Sequence, residues 1–318
     1  MQEEEHQTLT QGAGLVDFSH RTHLELQGAD RTVFLHNFCT NEIKLLQQGE
    51  GCEAFLLNPQ GKVIGLVAIF CGPESLWIET VAGQGPTLHG HLDRYIIRED
   101  VEVHDRTAER REWLLAGANA PELLAAVTAA PVPETGHAHQ DALIAGVPVS
   151  VRRVKWTPAP TFLVAMPADD FTAVGDGLRA AGARDCSLAS YDRIRIEAGM
   201  PEFGRDVTVA NLPQEVDRDD TAINFRKGCY LGQETVARID ALGHVNWRFT
   251  PLLLQADTAP TELLEFTLDG KVVGRMTSAA WSPERNSVIG LGYVRTAQAK
   301  PGAKFDSPAG PIQVGFDV

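Results

Sequence analysis

No two of the five cysteines, Cys39, Cys52, Cys71, Cys186 and Cys229, stand as a Cys-x-x-Cys pair, and their number is odd. That spacing argues against a disulfide framework, a zinc ribbon and a private iron–sulfur cluster, all of which gather thiols in short runs. Four of the five read as reduced thiols packed like small hydrophobes. The longest apolar stretch in the first part of the chain, Val63 to Cys71, is too short to cross a bilayer. The chain opens Met-Gln-Glu-Glu-Glu, where a secretory signal would carry positive charge and then an apolar core. A soluble, cytoplasmic protein with no membrane partner is expected. Lysine and arginine form no run, and the formal net charge is −14, so phosphate backbones are repelled and no direct nucleic-acid partner is expected. Neither a Gly-x-Gly-x-x-Gly fingerprint nor a Walker motif is present.

What is present is a chain of 318 residues, enough for about two to three domains. Leu24-Glu25-Leu26 alternates like a strand, Gly28-Ala29-Asp30 breaks it, and Asp30 stands where it would cap a helix through Val33, Phe34, Leu35 and Phe38. Asn58-Pro59-Gln60-Gly61 separates the apolar runs Ala54–Leu57 and Val63–Phe70, the signature of a β-hairpin. Pro121 opens a short helix at a position that tolerates proline, and Pro131–Asp141 reads as a surface loop. A further helix is expected over 169–183. Beyond Thr250, short β-type runs alternate with the turns Leu268-Asp269-Gly270-Lys271, Ser282-Pro283-Glu284-Arg285 and Ser307-Pro308-Ala309-Gly310, as in a small antiparallel barrel or sandwich. Helices and strands do not alternate strictly, so the class is α+β rather than a doubly wound sheet.

The segment richest in chemistry runs from Arg193 to Arg238. Lys227-Gly228-Cys229-Tyr230-Leu231-Gly232-Gln233-Glu234 places a cysteine ahead of a predicted helix N-terminus and beside Arg226 and Lys227. Both features favour a thiolate. A buried structural cysteine beside a turn fits the same residues. Upstream, Arg193 and Glu197 share a face if the segment is helical, and Arg193, Arg195 and Glu197 do so if it is a strand. Gly199 and Pro201 end either element. His89/His91 and His137/His139 are His-x-His pairs with no third ligand nearby, and they read as surface or loop histidines. Trp156, Trp247 and Trp281 read as core or barrel anchors.

The octapeptide Lys227–Glu234 resembles the signature of the YgfZ branch of the glycine-cleavage T-protein superfamily. Arg195-x-Glu197-Ala198-Gly199, Pro201-x-Phe203-Gly204-x-Asp206 and Asn211-Leu212-Pro213-x-Glu215 extend the match. So do Gly14–Asp17, Gly28-x-Asp30-x-x-x-Phe34-Leu35, Thr40–Ile43, Leu57–Ile64 and, near the end, Gly274–Ser278 with Ser282-Pro283. The resemblance implies a three-domain cloverleaf: two α+β domains around a central folate hole, and a C-terminal antiparallel β-barrel. The expected division is residues 1–50 with 140–240 as a discontinuous folate-binding domain, 51–139 as an inserted α+β domain, and 241–318 as the barrel.

By the same resemblance the cofactor is tetrahydrofolate or a derivative, and Glu197 meets its pterin ring. Arg195, Arg226 and Lys227 are candidates for the anionic tail, with Tyr230 and Gln233 completing the binding set. T-proteins carry an acidic pair after the hairpin, and here Gly65 and Leu66 stand in its place. Leucine can neither orient nor deprotonate a substrate, so T-protein aminomethyl transfer is not expected. The branch is linked to assembly or repair of iron–sulfur enzymes, one of them a tRNA-modifying enzyme. The leading expectation is therefore a folate-binding accessory protein with iron–sulfur client proteins as partners and Cys229 as its functional thiol. A folate-dependent aminomethyl or methyl transferase and a folate-binding docking module without chemistry are the alternatives. On the leading expectation, Glu197 and Cys229 line one cavity.

Overall fold

The Asn58 side chain makes the hairpin turn. Its Oδ1 accepts from the backbone N–H groups of Gln60 (3.0 Å) and Lys62 (2.9 Å), and Gly61 takes the left-handed conformation at φ 76°. The computed structural model of the protein describes residues 2–316; Met1, Asp317 and Val318, which the expected domain limits include, lie outside the described residues.

In chain order, helix α1 (Gln2–Gln11) precedes strands β1 (Gly14–Asp17) and β2 (Thr22–Gln27) and helix α2 (Arg31–His36). Strands β3 (Gly51–Leu57), β4 (Val63–Cys71) and β5 (Leu76–Thr80) follow, then helix α3 (Gly85–Asp93). Next come β6 (Glu102–Asp105), β7 (Arg110–Ala116), α4 (Ala120–Thr128), β8 (His139–Ile144), β9 (Val147–Val154) and β10 (Thr161–Pro167). Helix α5 (Phe171–Ala180), strand β11 (Arg184–Asp185), helix α6 (Leu188–Glu197) and the short helix α7 (Asp219–Ala222) lead to α8 (Gln233–Leu242). The last strands are β12 (Trp247–Leu254), β13 (Leu264–Leu268), β14 (Lys271–Ser282), β15 (Ser287–Arg295), β16 (Lys304–Ser307) and β17 (Gly310–Val314).

These strands make three sheets. One has five strands in the order β3-β4-β5-β2-β6, a second has six in the order β11-β1-β7-β10-β9-β8, and β12–β17 close into a barrel. The α+β class and the C-terminal antiparallel barrel follow. Sheet membership crosses the expected domain limits at two strands. β2 was expected with residues 1–50, yet it pairs with β5 and β6. β7 was expected in the inserted 51–139 unit, yet it pairs with β1 and β10. Both are central strands buried between neighbours, and periodicity along one strand carries no information about which sheet takes it. The expected loop Pro131–Asp141 is shorter than read, since His139 already begins β8. No described helix is long and apolar enough to cross a membrane.

A buried guanidinium helps tie the barrel to the rest of the chain, beside the packing of Ile196 against Phe249, Ile289, Leu291 and Tyr293. Arg195, 1% exposed, donates from Nε to Asp192 Oδ1 (2.6 Å), and from one terminal nitrogen to Asp206 Oδ2 (2.8 Å) and to the carbonyl of Met200 (2.9 Å). Its other terminal nitrogen donates to Ser278 Oγ on β14 (2.8 Å). Asp206 also accepts from the hydroxyls of Thr277 (2.5 Å) and Ser278 (2.6 Å) and from the backbone N–H of Glu202 (2.9 Å). A buried ion pair is tolerated only when its remaining donors and acceptors are filled in this way. We predict that Asp206→Ala, which strands the Arg195 charge, costs about 3–5 kcal/mol of stability; a loss below about 1 kcal/mol in urea unfolding, the range of an exposed pair, would contradict this role.

Candidate functional site

The thiol-bearing loop is positioned by a lysine that turns inward. Lys227 is buried, and its Nζ donates to the carbonyls of His36 (2.6 Å), Cys39 (2.7 Å) and Asn41 (2.7 Å), just past the end of α2. A lysine at a helix C-terminus satisfies carbonyls that the helix leaves without partners. Burial lowers its pKa from the ordinary lysine value. An ammonium has three N–H donors, and here all three are spent. The expectation that Lys227 holds a carboxylate tail is therefore corrected: its charge is used internally. With Lys227 pinned, Gly228 and Cys229 form an exposed tip, and Tyr230 returns to the core. Leu231 N–H donates to Asn37 O (2.9 Å), and Gln233 Oε1 accepts from Tyr230 N–H (3.3 Å). Gln233 thus closes its own turn, and Tyr230 packs in the core beneath the Lys227 ammonium, 5.0 Å from the ring centre. Cys229 is exposed, so the reading of a buried structural cysteine is set aside. The thiols of Cys39, Cys52, Cys71 and Cys186 are all pushed up by burial, that of Cys186 to about 12.

This loop packs directly on the hairpin turn. A side chain at Gly232 (φ 82°) would strike Asn58 O at 2.7 Å, and one at Gly61 would strike Thr235 Cβ at 2.6 Å. The two glycines let the backbones meet, which explains why both turns need them. The hairpin strands in turn form one wall of a narrow central cavity of about 30 Å³. Leu66, Ala68, Glu79 and Glu53 line it from the five-stranded sheet, with Arg21 and Val81 next to the strand ends, and Trp156, Tyr191, Arg195 and the Met200–Phe203 segment line it too. Register explains the sheet side. Glu53, Ala68, Glu79 and His23 lie opposite one another on β3, β4, β5 and β2, and Phe55 and Leu66 form the next row. Side chains two apart share a face, so one face carries both rows.

Leu66, at the expected position of a missing acid, is therefore a cavity wall, whereas Gly65 faces Leu88 of α3. Two carboxylates that sequence reasoning missed lie on the same wall. Glu53 is held by a fork from Arg218 (2.7 and 2.7 Å). Glu79, whose side chain is fully buried, is paired with Arg152 and lies 3.5 Å from His23 Nδ1. Arg21 pairs with Glu112 (3.1 Å) and stacks its guanidinium 4.6 Å from the Trp156 ring centre. The available signal was a charge at an inward position of an apolar strand, as in Leu76-Trp77-Ile78-Glu79-Thr80. Trp156 lines the cavity instead of serving only as a core anchor.

Of the sequence-predicted site residues, only Arg195 lines this cavity, and its donors are already committed to the barrel anchor. Its expected role as a tail-binding cation is corrected for that reason. Helix α6 presents Tyr191 and Arg195 to the cavity, whereas Glu197 lies with Arg193 on a face that meets α1. Glu197 Oε1 accepts from Arg193 Nε (3.0 Å), and Oε2 accepts from His6 Nε2 (2.8 Å). Burial alone would raise the Glu197 pKa, but His6 and Arg193 outweigh it and hold the carboxyl below its ordinary range. Glu197 and Cys229 are both absent from the cavity lining, so the expectation that they share it is corrected. Arg226 is exposed, and its side chain makes no ion pair or hydrogen bond among the described residues. His89 and His91 sit on a helix two residues apart and face different ways; His89 Nε2 meets Val103 O and His139 Nε2 meets Cys71 O.

Comparison with known proteins accords with this architecture. A family model described as the GCVT N-terminal domain matches residues 1–227, and one described as the glycine cleavage T-protein C-terminal barrel domain matches residues 248–311. A protein of Arabidopsis thaliana, named as a chloroplastic transferase, is 26% identical over 309 residues, covering 96% of this chain and 69% of its own length. An aminomethyltransferase of Listeria monocytogenes is 24% identical over 304 residues, covering 95% of this chain and 84% of its own. The crystal structure of a glycine cleavage system aminomethyltransferase T from Bartonella henselae superposes with a TM-score of 0.88 at 19% identity, over 98% of this chain and 88% of that one. That superposition speaks for the fold.

Two predictions follow from the buried cations and their neighbours. Lys227→Met should leave three carbonyls unpartnered and destabilise the fold by on the order of 3 kcal/mol. Amide hydrogen exchange over 224–232 should then speed at least about tenfold, and unchanged exchange would contradict the clamp. His23 is pushed down to about 4, first by burial, so it is neutral in the folded protein when the unfolded chain already binds a proton. Its contribution is complete above pH ~6.5 and is lost as the pH falls towards 4, up to on the order of 3 kcal/mol. Burial pushes the Glu112 carboxyl up, which acts in the opposite sense. The urea midpoint should drop between pH 7 and 4.5, and His23→Gln should flatten that drop; an equal drop in the variant would contradict the assignment.

Proposed function

The chain belongs to the glycine-cleavage T-protein family, and on that footing we propose that it is a cytoplasmic folate-binding protein of the YgfZ type. In this reading it supports the assembly or repair of iron–sulfur enzymes, tRNA-modifying ones among them, through the Cys229 thiol. The observation that carries the reading is the exposed Cys229 on a loop whose own lysine is spent in holding it there. A loop built only for packing has no need to keep a sulfur outside while its neighbours Lys227 and Tyr230 are buried.

The folate ring is assigned to the central cavity. The aromatic residues Trp156 and Tyr191 and the apolar side chains of Leu66, Met200 and Phe203 line it, and sites for flat heterocycles combine such apolar walls with a few polar groups. When bound, a reduced folate supplies one-carbon or redox chemistry. The chain's own residues stack on it, exclude water from its ring and present polar atoms to its edge. Arg226 is the remaining basic candidate for the anionic tail, since Arg195 and Lys227 are committed elsewhere. Cys229 acts outside the cavity, on the surface that a client protein reaches.

A second reading, folate-dependent aminomethyl or methyl transfer, gains from one observation: Glu53 and Glu79 place carboxylates on the wall where Leu66 lacks one. Both are already paired with arginines, which favours the first reading. Turnover of an aminomethyl donor with tetrahydrofolate would favour the second.

The test of the first reading is Cys229→Ser in cells lacking the protein. Iron–sulfur enzyme activity should fall to the level of the deletion, while the purified variant keeps its folate affinity within about twofold. Full complementation by the variant would remove Cys229 from the function.

A further inference from the structure

Away from the central cavity, helix α1 and the turn between β14 and β15 bring three metal-ligating side chains together. Glu3 and His6 stand three residues apart on α1 and so share one helix face. Glu284 sits in the turn 283–286, which a bond from Asn286 N–H to the Pro283 carbonyl closes (3.2 Å). One ligand atom each of Glu3, His6 and Glu284 lies within 4.8 Å of the other two. The imidazole is already oriented: His6 is 6% exposed, and its Nε2 meets Glu197 Oε2 at 2.8 Å. A metal-ligating histidine characteristically donates its other ring N–H to a carboxylate, which fixes the tautomer and makes the free nitrogen more basic. The nitrogen left here is Nδ1, which makes no hydrogen bond among the described residues. Both glutamates keep an oxygen for an ion. Arg193 takes Oε2 of Glu3 (3.0 Å) and Oε1 of Glu197 (3.0 Å), which leaves Oε1 of Glu3. Glu284 is exposed and makes no hydrogen bond or ion pair among the described residues. Three carboxylates, those of Glu3, Glu197 and Glu284, therefore gather around the one guanidinium of Arg193, while that of Arg285 lies over the Phe316 ring (5.0 Å). That excess of negative charge beside a free imidazole nitrogen suits a divalent cation.

We propose that Glu3, His6 and Glu284 form a site for a divalent transition-metal ion of the zinc class, held by Nδ1 of His6 and one oxygen of each glutamate, with water in the remaining positions. The donor set decides the class. An imidazole nitrogen with two carboxylate oxygens suits Zn²⁺, whereas Mg²⁺ and Ca²⁺ take oxygen ligands. Both carboxylates are on exposed side chains, so rotation of those side chains brings them to the roughly 2.0–2.2 Å of a zinc–oxygen bond. The ion acts as a clasp. Glu5 and His6 tie α1 to Ser187, Ser190 and Glu197 at the two ends of α6, and the metal adds a tie from α1 to the barrel turn. This site stands apart from the reading of the central cavity and of Cys229.

The experiment is calorimetric titration of the metal-stripped full chain with ZnCl₂. A single Zn²⁺ should bind per chain, and Glu284→Gln should weaken it at least about tenfold. Glu284 is exposed and unpartnered among the described residues, so this variant keeps the fold. Glu197→Gln removes the carboxylate behind His6 while leaving all three ligands in place, and it should weaken Zn²⁺ by about tenfold as well. Zn²⁺ should slow amide exchange over residues 3–11 in the wild-type protein and not in Glu284→Gln. Co²⁺ in place of Zn²⁺ reports the ligand type, and its spectrum should lack a thiolate charge-transfer band. Absence of Zn²⁺ binding by the wild-type protein, equal affinity in Glu284→Gln, or equal slowing of exchange in that variant would overturn the proposal. A thiolate band would overturn it too, by moving the ion to a cysteine.

Discussion

A charge taken out of water must be answered by partners inside the protein, and this constraint determines which groups remain for function. Lys227 is the clearest instance. Its ammonium is answered by three carbonyls at the end of α2, and the loop that follows is thereby fixed with Cys229 at its tip. Arg195, Arg218 and Arg152 are answered in the same way, by Asp206 and Asp192, by Glu53, and by Glu79. Of the groups in the segment richest in chemistry, the Arg226 guanidinium and the Cys229 sulfur stay at the surface, outside these pairs.

The same bookkeeping links the parts mechanically. Arg195 joins α6 to the barrel through Ser278 and Asp206, so the helix that roofs the cavity cannot shift without disturbing β14. Gly61 and Gly232 bring the hairpin that walls the cavity into backbone contact with the start of α8. The thiol loop is thus attached at one end to α2 and at the other to the hairpin.

Local structure was legible in the sequence wherever it depended on neighbours along the chain. The Asn58–Gly61 hairpin, the Pro121 helix start and the barrel turns follow from turn chemistry that acts over a few residues. The Arg193–Glu197 pairing was visible as one of two alternatives, and the helix chose between them. Which helix face looked into the cavity was not visible, because Tyr191/Arg195 and Arg193/Glu197 are equally spaced i, i+4 pairs. Helix α1 was missed altogether: its sequence is almost wholly polar, and it is held by Glu5 to Ser187 and Ser190 and by His6 to Glu197, contacts 182 to 191 residues apart. The cavity carboxylates were missed for a related reason. Glu53, Glu79 and His23 meet only through strand register, which no single strand encodes. Lys227 beside Cys229 suggested a cation serving the thiol; the fold sends that cation inward instead.

In the proposed function the cavity between Trp156 and Ala68 receives the ring, and Cys229 stays outside it. A crystal structure of the protein with a reduced folate addresses this directly. The proposed function predicts ring density between Trp156 and Ala68, and a solvent-facing sulfur at 229. Ring density against Glu197 and α1, or a sulfur at 229 in contact with the ring, would contradict it.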